Sequence, residues 1–217
     1  NAVNAVRNEL SAGKKWLVRF DVRHFDQTVD HEVLLDMLRP YIEAWDDCDK
    51  AVLRLVLDRL FDLSSRCMDW PKDKGIVPGS ALTSVLTNVY LTPLDQLLER
   101  EGMAFARYGD DIVVFADDRQ EGASVKSMVE EFVIGKLRQQ LNWEKSGEPQ
   151  LSREPFEFVG FRFEEGSLRI RDKTIDKVKS RIRKLTQRYR QSDPRHAGDI
   201  SHIEVIFKIE EVNHYLG

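Results

Sequence analysis

The chain has 217 residues, 41% of them hydrophobic and 32% charged, which is typical of one globular protein with a sizeable core. It has no apolar run near the roughly 18 to 20 residues of a membrane span and no signal-peptide pattern, so we expect a cytoplasmic protein with no membrane partner. The net charge of −4 by itself argues against a nucleic-acid-binding protein, and the two cysteines lack the spacing of a zinc site.

The N-terminal part of the chain predicts one strand and two helices. The apolar run WLVRFD, Trp16 to Asp21, suits a buried strand that ends in a carboxylate. Helices are expected from about Asp30 and from about Asp47, each with apolar residues along one face. Those residues are Val33, Leu34, Met37 and Leu38 in the first helix and Val52, Leu55, Val56 and Leu60 in the second.

The middle of the chain predicts a loop followed by a helix. Residues 66–80 contain two prolines and two glycines, which indicates a loop with at most one short strand. Ser80 is placed to cap the helix that follows, and Pro93 should kink or shorten that helix. The apolar positions that indicate it are Leu82, Val85, Leu86, Val89 and Tyr90.

Two adjacent acids interrupt the next apolar stretch, FARYGDDIVVF. The pattern predicts a β-hairpin whose turn carries Asp110 and Asp111. Like charges this close must be solvated, paired or bound to a metal. A turn at a strand end exposes them, while the flanking residues stay in the core.

The remaining chain predicts a helix over Val125–Leu141, hairpin strands in FEFVGFRF and LRIR, and then a basic helix over Lys173–Arg190. A polar loop over 191–199 and a last helix should follow. The basic helix is either a solvated surface or a surface for a phosphate backbone, and its charge alone does not decide between these alternatives.

Aspartates at two strand ends match the needs of two-metal phosphoryl transfer. Two Mg²⁺ ions roughly 3.5 to 4 Å apart require carboxylate ligands, and Asp21 and Asp110 would supply them. One ion would activate an attacking 3′-hydroxyl, and the other would neutralise leaving pyrophosphate.

Five segments resemble, in order, motifs A, B, C and D and the primer-grip motif of reverse transcriptases. The likeness is greatest to bacterial group II intron-type enzymes and their CRISPR-associated relatives. Because the segments follow the family's order over most of the chain, the resemblance is specific. They are Asp21–His31, Gly75–Asp95, Arg107–Asp111, Leu141–Ser146 and Phe158–Phe161.

The resemblance implies a catalytic site. Asp21 and Asp110 would be metal ligands, Asp111 the second acid of the catalytic pair, and the Val22 backbone would face the metal or the triphosphate. Lys145 matches a motif D lysine that protonates pyrophosphate, although an exposed lysine without that role fits the sequence nearly as well.

The same resemblance implies nucleotide contacts. Gly79 and Ser80 would lie where template or nucleotide approaches closely, and Asn88 near the incoming nucleotide. Asp26 stands where reverse transcriptases place an aromatic residue that blocks a ribose 2′-hydroxyl, and a carboxylate there is the pattern of RNA-dependent RNA polymerases. A register shifted by one residue would instead place Phe25 at this position.

Contacts to the nucleic acid are also implied. A primer grip would consist of Phe158, Val159, Gly160 and Phe161, although a core strand explains the aromatic residues equally well. The basic helix would follow the template–primer backbone. Its contact residues would be Lys173, Lys177, Arg181 and Lys184.

Two departures from the family pattern concern the motifs. Gly109 replaces the usual alanine of motif C, as in viral RNA-dependent RNA polymerases, and Pro78 replaces a common glutamine of motif B. Only about twenty residues precede Asp21, so the fingers region should be largely absent. We therefore expect an α+β right-hand palm over residues 1–168 and the start of a helical thumb over 169–217.

The predicted function is RNA-directed DNA synthesis with Mg²⁺, for which Mn²⁺ could substitute. Its partners would be an RNA template, a primer strand and dNTPs or rNTPs, with an intron RNA or CRISPR adaptation proteins as further candidates. Two alternatives stay open. One is RNA-dependent RNA polymerase activity, and the other is a non-catalytic nucleic-acid-binding module of an intron or CRISPR adaptation complex.

Overall fold

The computed structural model describes residues 2–79, 81–164 and 167–190, with side chains up to Lys184. The chain divides into two compact units, Asn1–Val159 and Gly160–Gly217. The first contains helices and strands in mixed order. These are α1 (Ala2–Ser11), β1 (Trp16–Asp21), α2 (Phe25–Thr28), α3 (His31–Ile42), α4 (Asp47–Met68), α5 (Ala81–Arg100), β2 (Phe105–Tyr108), β3 (Asp111–Ala116), α6 (Arg119–Gly135), β4 (Gln150–Leu151) and β5 (Phe156–Phe158).

An antiparallel sheet in the order β2-β3-β1-β4 forms the centre of the first unit. The β1–β3 ladder runs from the Trp16–Ala116 pair to the Asp21–Asp111 pair. In β3 every residue after Asp111 is buried, which explains why the strand reads as a continuous apolar run. Helix α6 packs closely against β1 and the residue before β4, since a Cβ on Gly122 would stand 3.5 Å from Val18 Cγ2 and 2.9 Å from Pro149 Cβ.

Tyr90 on α5 joins three parts of the core. Its ring is fully buried and meets Phe25 edge-on at 5.7 Å between centroids. Its hydroxyl donates to the Leu137 carbonyl at 2.7 Å and accepts from the Asp30 N–H and from Gln139 Nε2, both at 3.3 Å. The backbone before α3 and the segment after α6 are thereby tied to α5.

The apolar face that indicated α4 is not the buried one. Val52, Leu55 and Val56 are exposed, whereas Leu57 and Leu60 are buried. Both sets of apolar residues have helical spacing, and Leu60 belongs to both. Periodicity alone therefore does not predict which face of α4 packs against the core. The choice depends on the rest of the core.

Two helix boundaries differ from prediction. α6 begins six residues before Val125, because Asp118 caps it by accepting from the Glu121 N–H at 2.8 Å. It ends at Gly135, and Leu141 instead forms a bridge with Val22. Pro93 does not end α5, because buried leucines on both sides of it hold the helix in place through Arg100.

The second unit contains a β-hairpin and a helix in its described part. β6 (Phe161–Glu164) pairs antiparallel with β7 (Ser167–Ile170), and α7 (Asp172–Arg190) follows. The predicted loop over 191–199 and the last helix lie outside the described residues. Within the described part of the chain, no helix is long and apolar enough to cross a membrane.

Replacing Tyr90 with phenylalanine tests the role of its hydroxyl. The change leaves a buried carbonyl and two buried donors without this partner, so we expect a loss of about 1–3 kcal/mol in the free energy of unfolding, measured in urea. Tyr41→Phe is the control, because that tyrosine is exposed. Equal stability of the two variants would contradict the role given to the hydroxyl.

Candidate active site

Three aspartates meet at one end of the central sheet. The turn between β2 and β3 consists of Gly109 and Asp110, and Gly109 adopts a φ of +62°, which glycine reaches without strain. Asp111 starts β3 and pairs across the ladder with Asp21, the last residue of β1. Residues about ninety positions apart in the sequence are thus neighbours.

Residues 142–146 hold Asp21. The Asn142 N–H donates to the Asp21 carbonyl at 2.8 Å, and its side-chain amide donates to the Asp21 carboxylate at 3.1 Å. Lys145 Nζ contacts both carboxylate oxygens, at 2.9 and 3.1 Å. The Ser146 hydroxyl accepts from the Asp21 N–H at 3.0 Å and lies 3.3 Å from its carbonyl. The backbone and the side chain of Asp21 are therefore both fixed.

Burial and the charges of neighbouring acids raise the proton affinity of Asp110 and Asp111. Burial raises the pKa of Asp110, and the charges of Asp21, Asp26 and Asp111 raise it further. The pKa of Asp111 is also raised, chiefly by burial, although the Val159 N–H, which donates to its carboxylate at 3.2 Å, opposes the shift. A positive charge at this position would relieve the repulsion.

Lys145 supplies one such charge. Its hydrogen bond to Asp21 raises the pKa of its ammonium group, with smaller contributions from Asp110 and Asp111. The side chain is 65% exposed, so it reaches solvent while it contacts the acid. The proposed proton-donor role of Lys145 stays a prediction.

Two open clefts border the acids. The larger, of about 830 Å³, is lined by Asp21, Val22, Asp110 and Lys145, and the smaller, of about 620 Å³, by Gly79 and Asn88 among others. The residues common to both are Phe25, Asp26, Pro78 and Asp110.

The two candidates for the ribose position have different surroundings. Phe25 is 4% exposed and packs against Tyr90 in the core, although some of its atoms line both clefts. Asp26 is less buried, and burial raises the pKa of its carboxyl. Its backbone carbonyl accepts from the Ile76 N–H at 2.7 Å, which fixes it beside the motif B segment. Asp26 is the more accessible candidate.

The motif B residues approach the smaller cleft. Gly79 has a φ of +90°, and no atom lies within 4 Å of where its Cβ would be, so the space around it is open. Asn88 lines the same cleft from α5, and its side-chain oxygen accepts from Arg107 at 3.0 Å. Ser80 lies outside the described residues, so its expected roles in capping α5 and in nucleotide binding stay predictions.

The primer-grip residues have separate surroundings. In the first unit, Phe158 is buried and Val159 donates to Asp111 from a backbone with a φ of +49°, an uncommon conformation for a β-branched residue. In the second unit, Gly160 accepts from the Arg171 N–H at 3.0 Å, and Phe161 begins β6. The grip assignment stays a prediction.

Four basic residues of α7 share one exposed side of that helix, because they are spaced by four, four and three positions. All of them are exposed, as expected for either a solvated surface or a phosphate-binding one. They are Lys173, Lys177, Arg181 and Lys184.

The three acids offer the kind of ligand atom that magnesium prefers. Carboxylate oxygens are preferred ligands of Mg²⁺. The backbone hydrogen bonds of the bridge between Val22 and Leu141 are made by the residues next to them in the chain. The Val22 carbonyl therefore points away from Leu141, toward the β3 side, where Asp110 lies. Among the described residues, no three His, Cys, Asp or Glu side chains are arranged to hold a metal ion. Asp21 and Asp111 are bonded to Lys145 and Val159 instead.

Sequence reasoning missed the residues that orient the acids. Asn142 and Ser146 belong to the LNWEKS segment and Arg107 to RYGDD, but only Lys145 and the acids received a role there. A polar residue within a short motif is a weak signal of a positioning role, because it is also compatible with simple exposure to solvent. Its partners become visible only in three dimensions.

Comparison with protein families gives a match over residues 3–163 to the family described as reverse transcriptase (RNA-dependent DNA polymerase). The match covers most of the chain and includes all five motif segments. A comparison with curated proteins gave no match.

Solved structures of telomerase resemble the fold. The chain is similar to apo telomerase from Candida tropicalis truncated from its C-terminal domain, with a TM-score of 0.58, 12% identity and coverage of 77% of this chain and 38% of that one. It is similar to telomerase from Candida albicans in complex with a TWJ fragment of telomeric RNA, with a TM-score of 0.56, 13% identity and coverage of 87% and 38%. The chain thus spans well under half of those proteins. The α+β, palm-like fold is confirmed.

Changing Asp110 to asparagine should stabilise the protein at neutral pH. A carboxyl whose pKa is raised by folding favours the folded state at low pH, and this contribution is lost as pH rises through the raised pKa. Asparagine does not ionise, so the melting temperature of Asp110→Asn should exceed that of wild type near neutral pH. The difference should shrink toward the ordinary aspartate pKa of about 3.9.

Thermal melts in metal-free buffer across this range test the expectation. Asp73→Asn is the matched control, since Asp73 lies on an exposed loop. A difference between Asp110→Asn and wild type that does not change with pH would refute the raised pKa of Asp110.

Proposed function

Because the chain belongs to the reverse transcriptase family, we propose that it catalyses RNA-templated DNA synthesis at Asp21, Asp110 and Asp111. The observation that supports this most directly is the register of β1 and β3, which pairs Asp21 with Asp111 and places Asp110 in the adjoining turn. The clefts on both sides leave room for a nucleotide and a primer end. Asp21 and Asp110 line the larger cleft, and acids in an open cleft suit a charged substrate that brings metal ions with it.

In this proposal Asp21, Asp110, Asp111 and the Val22 carbonyl would hold two Mg²⁺ ions, or Mn²⁺ in their place. When bound, the ions would make the primer 3′-hydroxyl more acidic and neutralise charge on the triphosphate. The primer 3′-hydroxyl would lose its proton to solvent, and its oxygen would form a bond to the α-phosphorus as the bond from that phosphorus to pyrophosphate breaks. Lys145, whose ammonium group lies at the wall of the larger cleft, would donate a proton to the departing pyrophosphate.

The sugar preference depends on Asp26 in the proposal. A carboxylate at the border of both clefts adds hydrogen-bond acceptors and no ring, so it would accept a ribose 2′-hydroxyl. This observation favours RNA-dependent RNA polymerase activity as the second candidate. The family match favours dNTPs, and we place DNA synthesis first.

The nucleic-acid partners would be an RNA template and a primer strand. The exposed cations of α7 would contact the phosphate backbone, and the residues from Phe158 to Phe161 would hold the primer end. The likeness of the motifs to group II intron-type and CRISPR-associated enzymes suggests an intron RNA or CRISPR adaptation proteins as further partners. A cytoplasmic location stays a prediction.

Primer extension on an RNA template tests the activity, with dNTPs and rNTPs compared in Mg²⁺ and in Mn²⁺. Extension should require Asp110, and Asp110→Ala should reduce it at least about 100-fold, because metal stabilisation is worth several kcal/mol. Asp26→Phe should lower any use of rNTPs relative to dNTPs. Gln27→Phe adds the same ring at the next position and serves as its control.

The outcomes separate the candidates. Extension with dNTPs that depends on Asp110 supports the reverse transcriptase, whereas an rNTP preference that Asp26→Phe reverses supports the RNA polymerase. If neither nucleotide is incorporated but the chain binds template–primer, a non-catalytic binding module becomes the better account.

The basic helix makes a separate prediction about salt. Changing Lys173, Lys177, Arg181 and Lys184 to glutamine should weaken template–primer binding and reduce the slope of log Kd against log salt by about 3, since each phosphate contact contributes roughly 0.7 to 0.9. Fluorescence anisotropy at several salt concentrations measures the slope.

A matched control variant replaces four exposed arginines of α3 and α4 with glutamine and so removes the same charge. Its slope should stay close to wild type. If both variants lower the slope equally, α7 is only a solvated surface. The control positions are Arg39, Arg54, Arg59 and Arg66.

A further inference from the structure

Arg107 makes four hydrogen bonds beside the catalytic turn. Its Nε and Nη2 donate to the two carboxylate oxygens of Asp95 at 2.7 and 2.5 Å. Its Nη1 donates to the Asn88 side-chain oxygen at 3.0 Å and to the Gly109 carbonyl at 3.2 Å. One planar group therefore contacts both α5 and the turn that carries Asp110.

The geometry requires a guanidinium. Only arginine offers a fixed fork of donors that pairs with both oxygens of a carboxylate and still has a further nitrogen for other acceptors. Arg107 is 11% exposed and Asp95 is 23% exposed, so solvent screens this pair less than the exposed ion pairs of the chain. A lysine would keep the charge but lose the fork.

We propose that Arg107 is a positioning residue that fixes the Asp110 turn relative to Asn88 and Asp95 on α5. The proposal rests on the proposed polymerase function, because it assigns the geometry of that same site. Asn88 and Asp110 both line the smaller cleft, so a single guanidinium orients two of its walls. Without the fork, the Gly109 carbonyl loses its tie to α5, and Asp110 is held less firmly.

The simpler alternative is a salt bridge that contributes only to stability. The two accounts differ in what Arg107→Lys changes. A stability role lowers the melting temperature but leaves the turnover of the folded protein intact. A positioning role lowers kcat and metal affinity in protein that remains folded, because a displacement of about 1 Å at a reacting group reduces rates up to about 100-fold.

The experiment compares wild type with Arg107→Lys, Asp95→Asn and the double variant. Arg39→Lys is the matched control, since it makes the same change at an exposed pair with Asp36. Three quantities are measured: kcat in primer extension, the Kd for template–primer, and Mn²⁺ binding by electron paramagnetic resonance without substrate. Circular dichroism confirms folding at the assay temperature.

We expect Arg107→Lys and Asp95→Asn each to lower kcat by about 10- to 100-fold and to weaken Mn²⁺ binding, with the Kd for template–primer within about twofold of wild type. The double variant should lose little more than the worse single variant, because both changes break one network. Unchanged kcat and Mn²⁺ binding in folded variants, or fully additive losses, would overturn the positioning role.

Failure of the polymerase function gives a different result. In that case wild type itself shows no extension that depends on Asp110, while Mn²⁺ binding still reports whether Arg107 orders the acidic turn. If Arg107→Lys does not fold, Asp95→Asn, which has nearly the same shape, decides the question alone.

Discussion

The antiparallel pairing of β1 with β3 is the constraint on which the site depends. Its register sets Asp21 against Asp111, and a slip of one residue in either strand would turn the aspartate of that strand to the other face of the sheet. The buried apolar residues of the two strands hold the register, because a slip would break their packing in the core. Packing in the core thus decides which carboxylates meet.

Three carboxylates held together would repel one another without compensation. Lys145 and Asn142 bond to Asp21, the Val159 N–H bonds to Asp111, and Arg107 holds the turn beside Asp110. Even so, the pKa values of Asp110 and Asp111 stay raised. Burial and, to a smaller extent, repulsion between the acids therefore disfavour their charged forms, and bound cations would offset both effects, as the proposed metal-dependent function requires.

The two clefts share a wall, and the proposal assigns a different role to each. Asp26 and Asp110 border both, so a group that binds on either side meets the acids. The smaller cleft contains the motif B residues and the network of Arg107, and the larger contains Lys145 and the segment from Leu141. Sugar recognition and proton donation are assigned to neighbouring surfaces in the proposal.

The sequence by itself determined the α+β class, the strand at Trp16–Asp21, the hairpin around the acidic pair and the likeness to reverse transcriptases, because these depend on local periodicity and short motifs. Tertiary structure decided which face of α4 is buried, since Leu60 fits both candidate faces. It also decided the partners of Asp21 and Arg107. Lys145 lies 124 positions from Asp21, and Asp95 lies 12 from Arg107 on another element. Local sequence carries no record of such contacts, because they exist only once the core has folded.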